Sequence, residues 1–177
     1  MLIDLLRARR SIRRFTDRPV EPEKIDLLVE AALRSPSSKG NNPWEFIVVT
    51  DPAMLKQMAV AKAHGATFLQ GAPLAIVVCA DPAQSDVWVE DAAIATTLIH
   101  LQATDLGLGS CWVQIRLRQR DDGTSSQAYL AGLFGLPEHM MVLAIVGIGY
   151  PLDSKNGHPH ASLCFNRVSY SHFGRRD

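Results

Sequence analysis

The sequence predicts a single α+β domain, because helix-like and strand-like apolar patterns alternate along a chain of ordinary globular composition. The chain has 177 residues, of which 47% are apolar and 20% are charged, so it is long enough to bury one core. Uninterrupted apolar runs at 74–80 and 140–150 are typical of buried strands, whereas residues 22–34 carry an amphipathic helical pattern. Together these observations favour one domain built from both kinds of element.

Five helices are predicted from apolar periodicity and from start and stop signals. Pro22 and the pair Asp51-Pro52 are favourable first-turn residues. Gly107 follows the longest helical pattern, at the position where a left-handed residue commonly ends a helix. The predicted helices span residues 2–9, 22–34, 52–63, 87–106 and 126–134.

Four strands complete the predicted domain, at 45–50, 74–80, 109–115 and 140–150. After Tyr150 the periodicity is lost. We therefore predict one domain over residues 1–177, made of a core at 1–150 and an extended tail at 151–177.

The long helix at 87–106 is apolar around most of its circumference, so it must be buried on more than one side. Two interpretations are equally supported by this pattern. Either the helix crosses the core of a monomer, or one side of it contacts a second subunit that the apolar residues of the tail also reach.

Composition excludes several classes of protein. Eighteen basic residues balance eighteen acidic ones, so the chain lacks the positive field that nucleic-acid binding needs. Cys79, Cys111 and Cys164 are widely spaced, which argues against a disulfide framework or a zinc site and favours a reducing cytoplasm. No export signal is recognised in MLIDLLRARR, and the longest apolar segment carries too many polar groups for a membrane span.

The densest chemical signal is RARRSIRRF, Arg7 to Phe15, which has five arginines around one serine. One or two arginines at a helix end are explained by the helix dipole. Five in so short a segment repel one another unless an anion lies among them, and guanidinium groups beside a hydroxyl suit a phosphate. The phosphate-binding loop of P-loop nucleoside triphosphatases, G-x-x-x-x-G-K-[ST], is absent from the sequence. GLGSCW at 107–112 has a tryptophan where a dinucleotide fingerprint needs its third glycine. A mononucleotide remains open, and no metal site or hydrolytic motif is recognised.

Five motifs, in the same order, give the sequence a resemblance to the flavin-dependent nitroreductase family, and to its short members in particular. They are RRSIRRF at 9–15, SPSSKGNNPWEFIVV at 35–49, GLGSCWVQI at 107–115, VGIGYP at 146–151 and NRVSYSHF at 166–173. The resemblance implies a mostly antiparallel central sheet flanked by helices. It also implies a homodimer with the long helix in the interface, the C-terminal tail wrapping the partner subunit, and two FMN molecules between the subunits.

Residue roles follow from the same resemblance. Arg9, Arg10 and Ser11 match the motif that holds the phosphate and ribityl end of FMN, and Arg13 matches the residue near the flavin N1 and C2 edge. A basic residue after the Gly-Tyr-Pro turn usually reaches the phosphate, and the candidates are Lys155 and His158.

Two further segments match family contacts to the flavin ring. The loop containing Pro36, Ser37 and Ser38 is expected to reach the flavin from the partner subunit, because small side chains let the backbone approach a flat ring closely. Asn42 stands where the family often has glutamine. Residues of the other segment are expected to pass the N5 edge with backbone groups: Val113, Gln114 and Ile115.

The activity implied by the resemblance is hydride transfer from NADH or NADPH through flavin N5 to a small oxidised acceptor, in a ping-pong cycle. The acceptor and the preferred nicotinamide are left open. Alternatives are a dehydrogenase or dehalogenase on the same scaffold, and a flavin-binding or redox-sensing module without turnover.

Overall fold

The computed structural model describes residues 1–176, and within them the helices and strands follow the predicted order. They are α1 (Leu2–Ala8), α2 (Pro22–Leu33), β1 (Trp44–Val49), α3 (Pro52–Met58), β2 (Leu74–Ala80), α4 (Trp88–Asp105), β3 (Gly109–Gln114), α5 (Ser126–Phe134) and β4 (Met141–Gly149). The bounds of β2 and α5 agree with the predicted ones residue for residue. Short 3-10 turns lie at Ser38–Gly40, Thr67–Gly71, His160–Ser162 and Phe165–Arg167.

The four strands form one antiparallel sheet in the order β1-β2-β4-β3, which confirms the α+β class. Every residue of the central strand β2 is buried, which explains its uninterrupted apolar sequence. Its side chains alternate between the two faces. Val77 packs in the core formed with α3 and α5, and Ile76 packs in the core formed with α2 and α4.

Two predicted segments differ from the structure. Helix α3 ends at Met58 instead of continuing to residue 63, because the chain turns away and the Ala63 amide donates to the Gln119 carbonyl at 3.0 Å. The predicted tail is not extended throughout, since two 3-10 turns interrupt it between residues 160 and 167. The last residue of that tail, Asp177, lies outside the described residues.

Helix α4 lies across one face of the sheet and ends as predicted, with Gly107 in the left-handed region at φ 72°. One side, with Ala95, Ile99 and Ala103, is buried in the core of the chain. The other side is left uncovered, and Ile94 there is 40% exposed. Within residues 1–176, no helix combines the length and apolar character needed to cross a membrane.

Candidate functional site

The RRSIRRF segment runs in extended form beside the first residues of β3. Helix α1 ends before it, because Arg9 has a non-helical backbone conformation with ψ 129°. The Ile12 amide then donates to the Ser110 carbonyl at 3.0 Å. A Cβ atom at Gly109 would lie 2.7 Å from the Ile12 side chain, so only glycine permits this approach. The segment is therefore fixed against the sheet rather than free in solvent.

Cationic side chains of this segment meet the start of the tail around a cavity of about 190 Å³, which Arg9, Arg10 and Lys155 line. Within residues 1–176, neither Arg9, Arg13 nor Lys155 has a carboxylate within 4 Å. Arg14 does have one, since its guanidinium lies 2.9 Å from Asp153. Asp153 also lines this cavity, but its carboxylate is paired with Arg14. The remaining cations form a donor set that suits a dianionic phosphate.

The buried thiol of Cys111 lies in β3 beside this cluster. Burial raises the pKa of this thiol, while Arg13, the Ser11 hydroxyl, Lys155 and Arg9 act to lower it. An isolated bridge pairs Ser11 with the start of β3, and Arg9 and Lys155 line the same cavity. These contacts place Arg9, Ser11 and Lys155 near the start of β3.

The tail enters this site through contacts that the sequence did not predict. The Arg10 guanidinium donates to the Asn156 carbonyl at 2.6 Å. A Cβ atom at Gly157 would lie 1.5 Å from the Arg7 carbonyl oxygen, so the glycine lets the tail pack directly on the end of α1. Lys155 and His158 are both exposed, but Lys155 lines the cavity and His158 does not.

A buried histidine of α4, His100, contacts the start of β3 from within the core. His100 of α4 lies with its Nδ1 atom 2.7 Å from the Ser110 hydroxyl, and its ring stacks near Trp112 with centroids 6.3 Å apart. Burial, with a smaller contribution from Arg9, lowers the pKa of His100 to about 4. His100 is therefore neutral at pH 7 and adds no charge beneath the arginines.

The end of β3 offers backbone groups rather than side chains. Val113 and Ile115 are buried, and the Gln114 carboxamide is occupied by the Trp112 indole at 2.9 Å and the Arg116 carbonyl at 3.1 Å. β3 is an edge strand, and within residues 1–176 its outer side pairs only through an isolated bridge between Ser11 and Ser110. The outward backbone groups at 112–114 are therefore available to a ligand.

The loop at 35–43 is tightly organised. Lys39 and Asn42 adopt positive φ angles of 54° and 49°. The Ser37 hydroxyl donates to the Asn42 side-chain oxygen at 2.8 Å and accepts from the Asn42 amide at 2.9 Å. The Asn42 carboxamide thus already has a partner within the loop, while Pro36 is exposed and Ser38 is half-buried.

Asp91 in the first turn of α4 holds this loop, and the sequence analysis missed it. Its side chain is buried and accepts from the Ser38 amide at 2.8 Å and from the Ser85 hydroxyl at 2.7 Å. The available signal was a carboxylate within the otherwise apolar part of a helix, which requires hydrogen-bonding partners when it is buried.

The loop and the cation cavity lie at opposite ends of α4. Asp91 holds the loop near the start of the helix, and Thr104 near its end lines the cavity. At 1.5 Å per residue the helix rises about 20 Å between these two positions. Within one chain, the structure therefore does not bring Pro36, Ser37 and Ser38 to the arginines.

The fold and the site define a class of protein. It is an antiparallel α+β domain that carries, beside an edge strand, a cluster of cations suited to binding a phosphate. The chain belongs to the nitroreductase family, because the family model described as "Nitroreductase family" matches residues 6–150.

Relatives with names of oxidoreductases support this assignment. A solved structure of an FMN-dependent nitroreductase from Clostridium difficile R20291 is 44% identical and superposes with a TM-score of 0.94, covering 97% of this chain and 99% of that one. An Archaeoglobus fulgidus protein, provisionally named NADH dehydrogenase/NAD(P)H nitroreductase, is 40% identical over 158 residues and covers 87% of each chain. The FMN reductase [NAD(P)H] of Bacillus subtilis is 28% identical, over 86% of this chain and 66% of its own.

Proposed function

We propose that the protein is an FMN-dependent NAD(P)H oxidoreductase that works as a homodimer and reduces a small oxidised acceptor, such as a nitroaromatic compound or a quinone. The observation that carries this proposal is the cluster of cations without carboxylate partners at the start of β3. The names of the relatives add the reductant and the cofactor, since they include FMN-dependent and NAD(P)H-using enzymes.

The cation cluster fits the phosphate end of FMN. Arg9, Arg10 and Lys155 line a cavity of about 190 Å³, which has room for a phosphate but not for a whole flavin. Charge-assisted hydrogen bonds from guanidinium and ammonium groups are the strong ones for such an anion. The hydrogen bond from the Ile12 amide to the Ser110 carbonyl fixes the backbone that carries Arg9 and Arg10, which limits the ordering that accompanies binding.

The flavin ring would then extend from this cavity along the open edge of β3. Bound FMN would supply the redox chemistry, by taking hydride from a nicotinamide and giving the electrons to the acceptor. The protein chain would contribute the position of the flavin and the electrostatic field around it. Arg13 would provide positive charge beside the ring edge, where it would favour the reduced cofactor, and the outward backbone groups at 112–114 would contact the N5 side.

A homodimer explains why the loop and the cations lie at opposite ends of α4. A two-fold axis across the uncovered side of α4 would bring the loop of one subunit to the cation cluster of the other. The apolar surface needed for such a contact exists. A cavity of about 340 Å³, lined by Leu2, Leu98 and Leu101 among others, adjoins the uncovered side of α4, and Leu2 is 61% exposed.

The tail fits the same assembly, because its apolar side chains pack poorly on their own chain. Phe165 and Tyr170 are more than half exposed, and Phe173 is fully exposed at 103%. Exposed aromatic side chains in a row mark a surface that a partner covers.

The proposal is tested by the colour of the purified protein and its response to nicotinamides. We expect a yellow protein whose flavin absorbance is bleached by NADH or NADPH without oxygen and restored by a nitroaromatic compound or a quinone. A colourless protein that gains no flavin on incubation with FMN would overturn the proposal. A yellow protein that dithionite bleaches and neither nicotinamide does would instead indicate a flavin-binding module.

A further inference from the structure

A second basic cluster lies just beyond the end of β3. It is formed by Lys62 and Arg118, and Arg116 lines the neighbouring cavity. Lys62, His64 and Arg118 line a cavity of about 240 Å³. Arg118 also lines a neighbouring cavity of about 710 Å³, together with Arg116 and Trp88. Arg118 therefore stands between two adjoining open spaces, one small and basic and one large.

Two backbone features bring these residues together. The Ala63 amide donates to the Gln119 carbonyl at 3.0 Å, which ties the segment after α3 to the segment after β3. Leu117 adopts a positive φ of 58° in the turn between the two arginines and is 78% exposed. A bulky residue in this region is strained, and such strain is concentrated at functional sites.

The cluster has no carboxylate of its own. Within residues 1–176, neither Lys62 nor Arg118 lies within 4 Å of an acidic side chain, whereas the nearby Arg120 has Asp122 at 2.7 Å. Burial, and then the positive charge of Arg118, lower the pKa of Lys62. Two cations thus share one cavity at a cost in electrostatic energy, which an anion in that cavity would relieve.

This cluster is separate from the one that we assign to the FMN phosphate. The first cluster lines a cavity at the start of β3, and the second lines a cavity beyond its end; the two cavities share no lining residue. We therefore treat them as sites for two different phosphate groups. The second cluster is instead directly adjacent to Val113, Gln114 and Ile115, the segment that we place at the reactive edge of the flavin.

We propose that Lys62 and Arg118 form a subsite that binds a phosphate group of the reduced nicotinamide dinucleotide while its nicotinamide ring meets the flavin. This inference rests on the proposed function, because it takes the reductant as the ligand. A dinucleotide has its phosphates well away from the nicotinamide ring, so they need an anchor beyond the flavin. The small basic cavity supplies charge, and the adjoining larger cavity has room for the rest of the nucleotide.

The first test measures equilibrium binding of NADP⁺ and NAD⁺ to the FMN-loaded protein, by calorimetry or dialysis, so it does not depend on turnover. The variants are Lys62→Met, Arg118→Gln and the double variant. The control is Lys56→Gln, which removes an exposed lysine of α3 outside both cavities. We expect the double variant to bind at least one of the two nucleotides about tenfold more weakly, the usual effect of losing a charged hydrogen-bond donor, and Lys56→Gln to leave binding unchanged.

The second test measures bleaching rates with donors that differ in phosphate content: NADPH, NADH and 1-benzyl-1,4-dihydronicotinamide, which has no phosphate. The double variant should need about ten times more dinucleotide for half-maximal rate and an unchanged amount of the benzyl compound. A loss confined to NADPH assigns the cluster to the 2′-phosphate, and a loss with both dinucleotides assigns it to the pyrophosphate.

Two results would overturn the subsite and leave the proposed function intact. One is dinucleotide binding and bleaching unchanged in the double variant. The other is an equal loss with the phosphate-free donor, which would indicate a general effect on the flavin. If the first result is accompanied by weaker binding of a carboxylate-bearing acceptor, the cluster is assigned to the acceptor. If no nicotinamide bleaches the wild type, the proposed function fails, while weaker nucleotide binding by the variants would still support the subsite.

Discussion

A lysine and a histidine three residues apart in the tail have different surroundings, although both matched the basic position expected after the Gly-Tyr-Pro turn. Both side chains are exposed, but Lys155 lines the cation cavity and His158 lies outside it. The cause is the contact of Gly157 with the Arg7 carbonyl, which turns the tail onto α1 directly after Lys155. A positive side chain held beside Arg9 and Arg10 is useful only to an anion.

Replacing Lys155 with methionine is therefore expected to weaken FMN binding about tenfold, the effect of losing one charged hydrogen-bond donor to phosphate. The matched control is His158→Gln, which should bind FMN as the wild type does. Riboflavin, which lacks the phosphate, should bind equally to all three proteins in a flavin-fluorescence titration. Weaker FMN binding in His158→Gln with normal binding in Lys155→Met would reverse the assignment.

The loop at 35–43 and the end of α3 show which features of the elements depended on distant parts of the chain. The small and polar residues of the loop predicted its irregular backbone, and the positive φ angles of Lys39 and Asn42 agree with that composition. The support from Asp91, 53 positions from Ser38, could not be read locally. The early end of α3 has a similar origin, because the Ala63 amide donates to the carbonyl of Gln119, which lies in a distant part of the chain.

Replacing Asp91 with alanine should lower the free energy of unfolding by about 2 kcal/mol, because it leaves the Ser38 amide and the Ser85 hydroxyl without an acceptor in a buried place. Asp91→Asn keeps one carbonyl oxygen and should lose less. The exposed Asp86 gives the control, with an expected change within about 0.5 kcal/mol for Asp86→Ala. Urea denaturation gives these values, and hydrogen exchange at Ser38 should quicken only in the Asp91 variants. Equal losses for Asp91→Ala and Asp86→Ala would show that this carboxylate does not hold the loop.

For the whole molecule, the order of elements, the antiparallel sheet and the grouping of Arg9, Ser11 and Arg13 were all within reach of the sequence. The first and the last depend on local periodicity or on neighbours in the chain, whereas the antiparallel sheet was implied only by the family resemblance. The separation of the loop from the arginines could not be derived from the residues, because it depends on how α4 crosses the sheet; only the family resemblance, which placed the loop on the partner subunit's flavin, implied it. In the proposed dimer, that separation accounts for the apolar residues on both sides of α4. One side packs in the core of the chain, and the other would pack against the partner subunit, so that the loop of one chain reaches the cations of the other.

Placing a charge on the uncovered side of α4 tests this arrangement. Ile94 is 40% exposed, so Ile94→Glu should leave the folded chain intact by circular dichroism. In a two-fold dimer, however, it would bury two unpaired carboxylates. Such burial costs several kcal/mol, so the dimer should dissociate about a hundredfold more readily.

In the proposed dimer each site combines the loop of one subunit with the cations of the other, so FMN affinity should fall together with dimerisation and recover at high protein concentration. Val60→Glu is the matched control, since Val60 is 53% exposed but lies at the end of α3, away from α4. Sedimentation velocity over a concentration series, run with and without FMN, measures both quantities. A wild-type protein that sediments as a monomer while holding FMN, or an Ile94→Glu monomer with undiminished FMN affinity, would show that one chain forms the whole site.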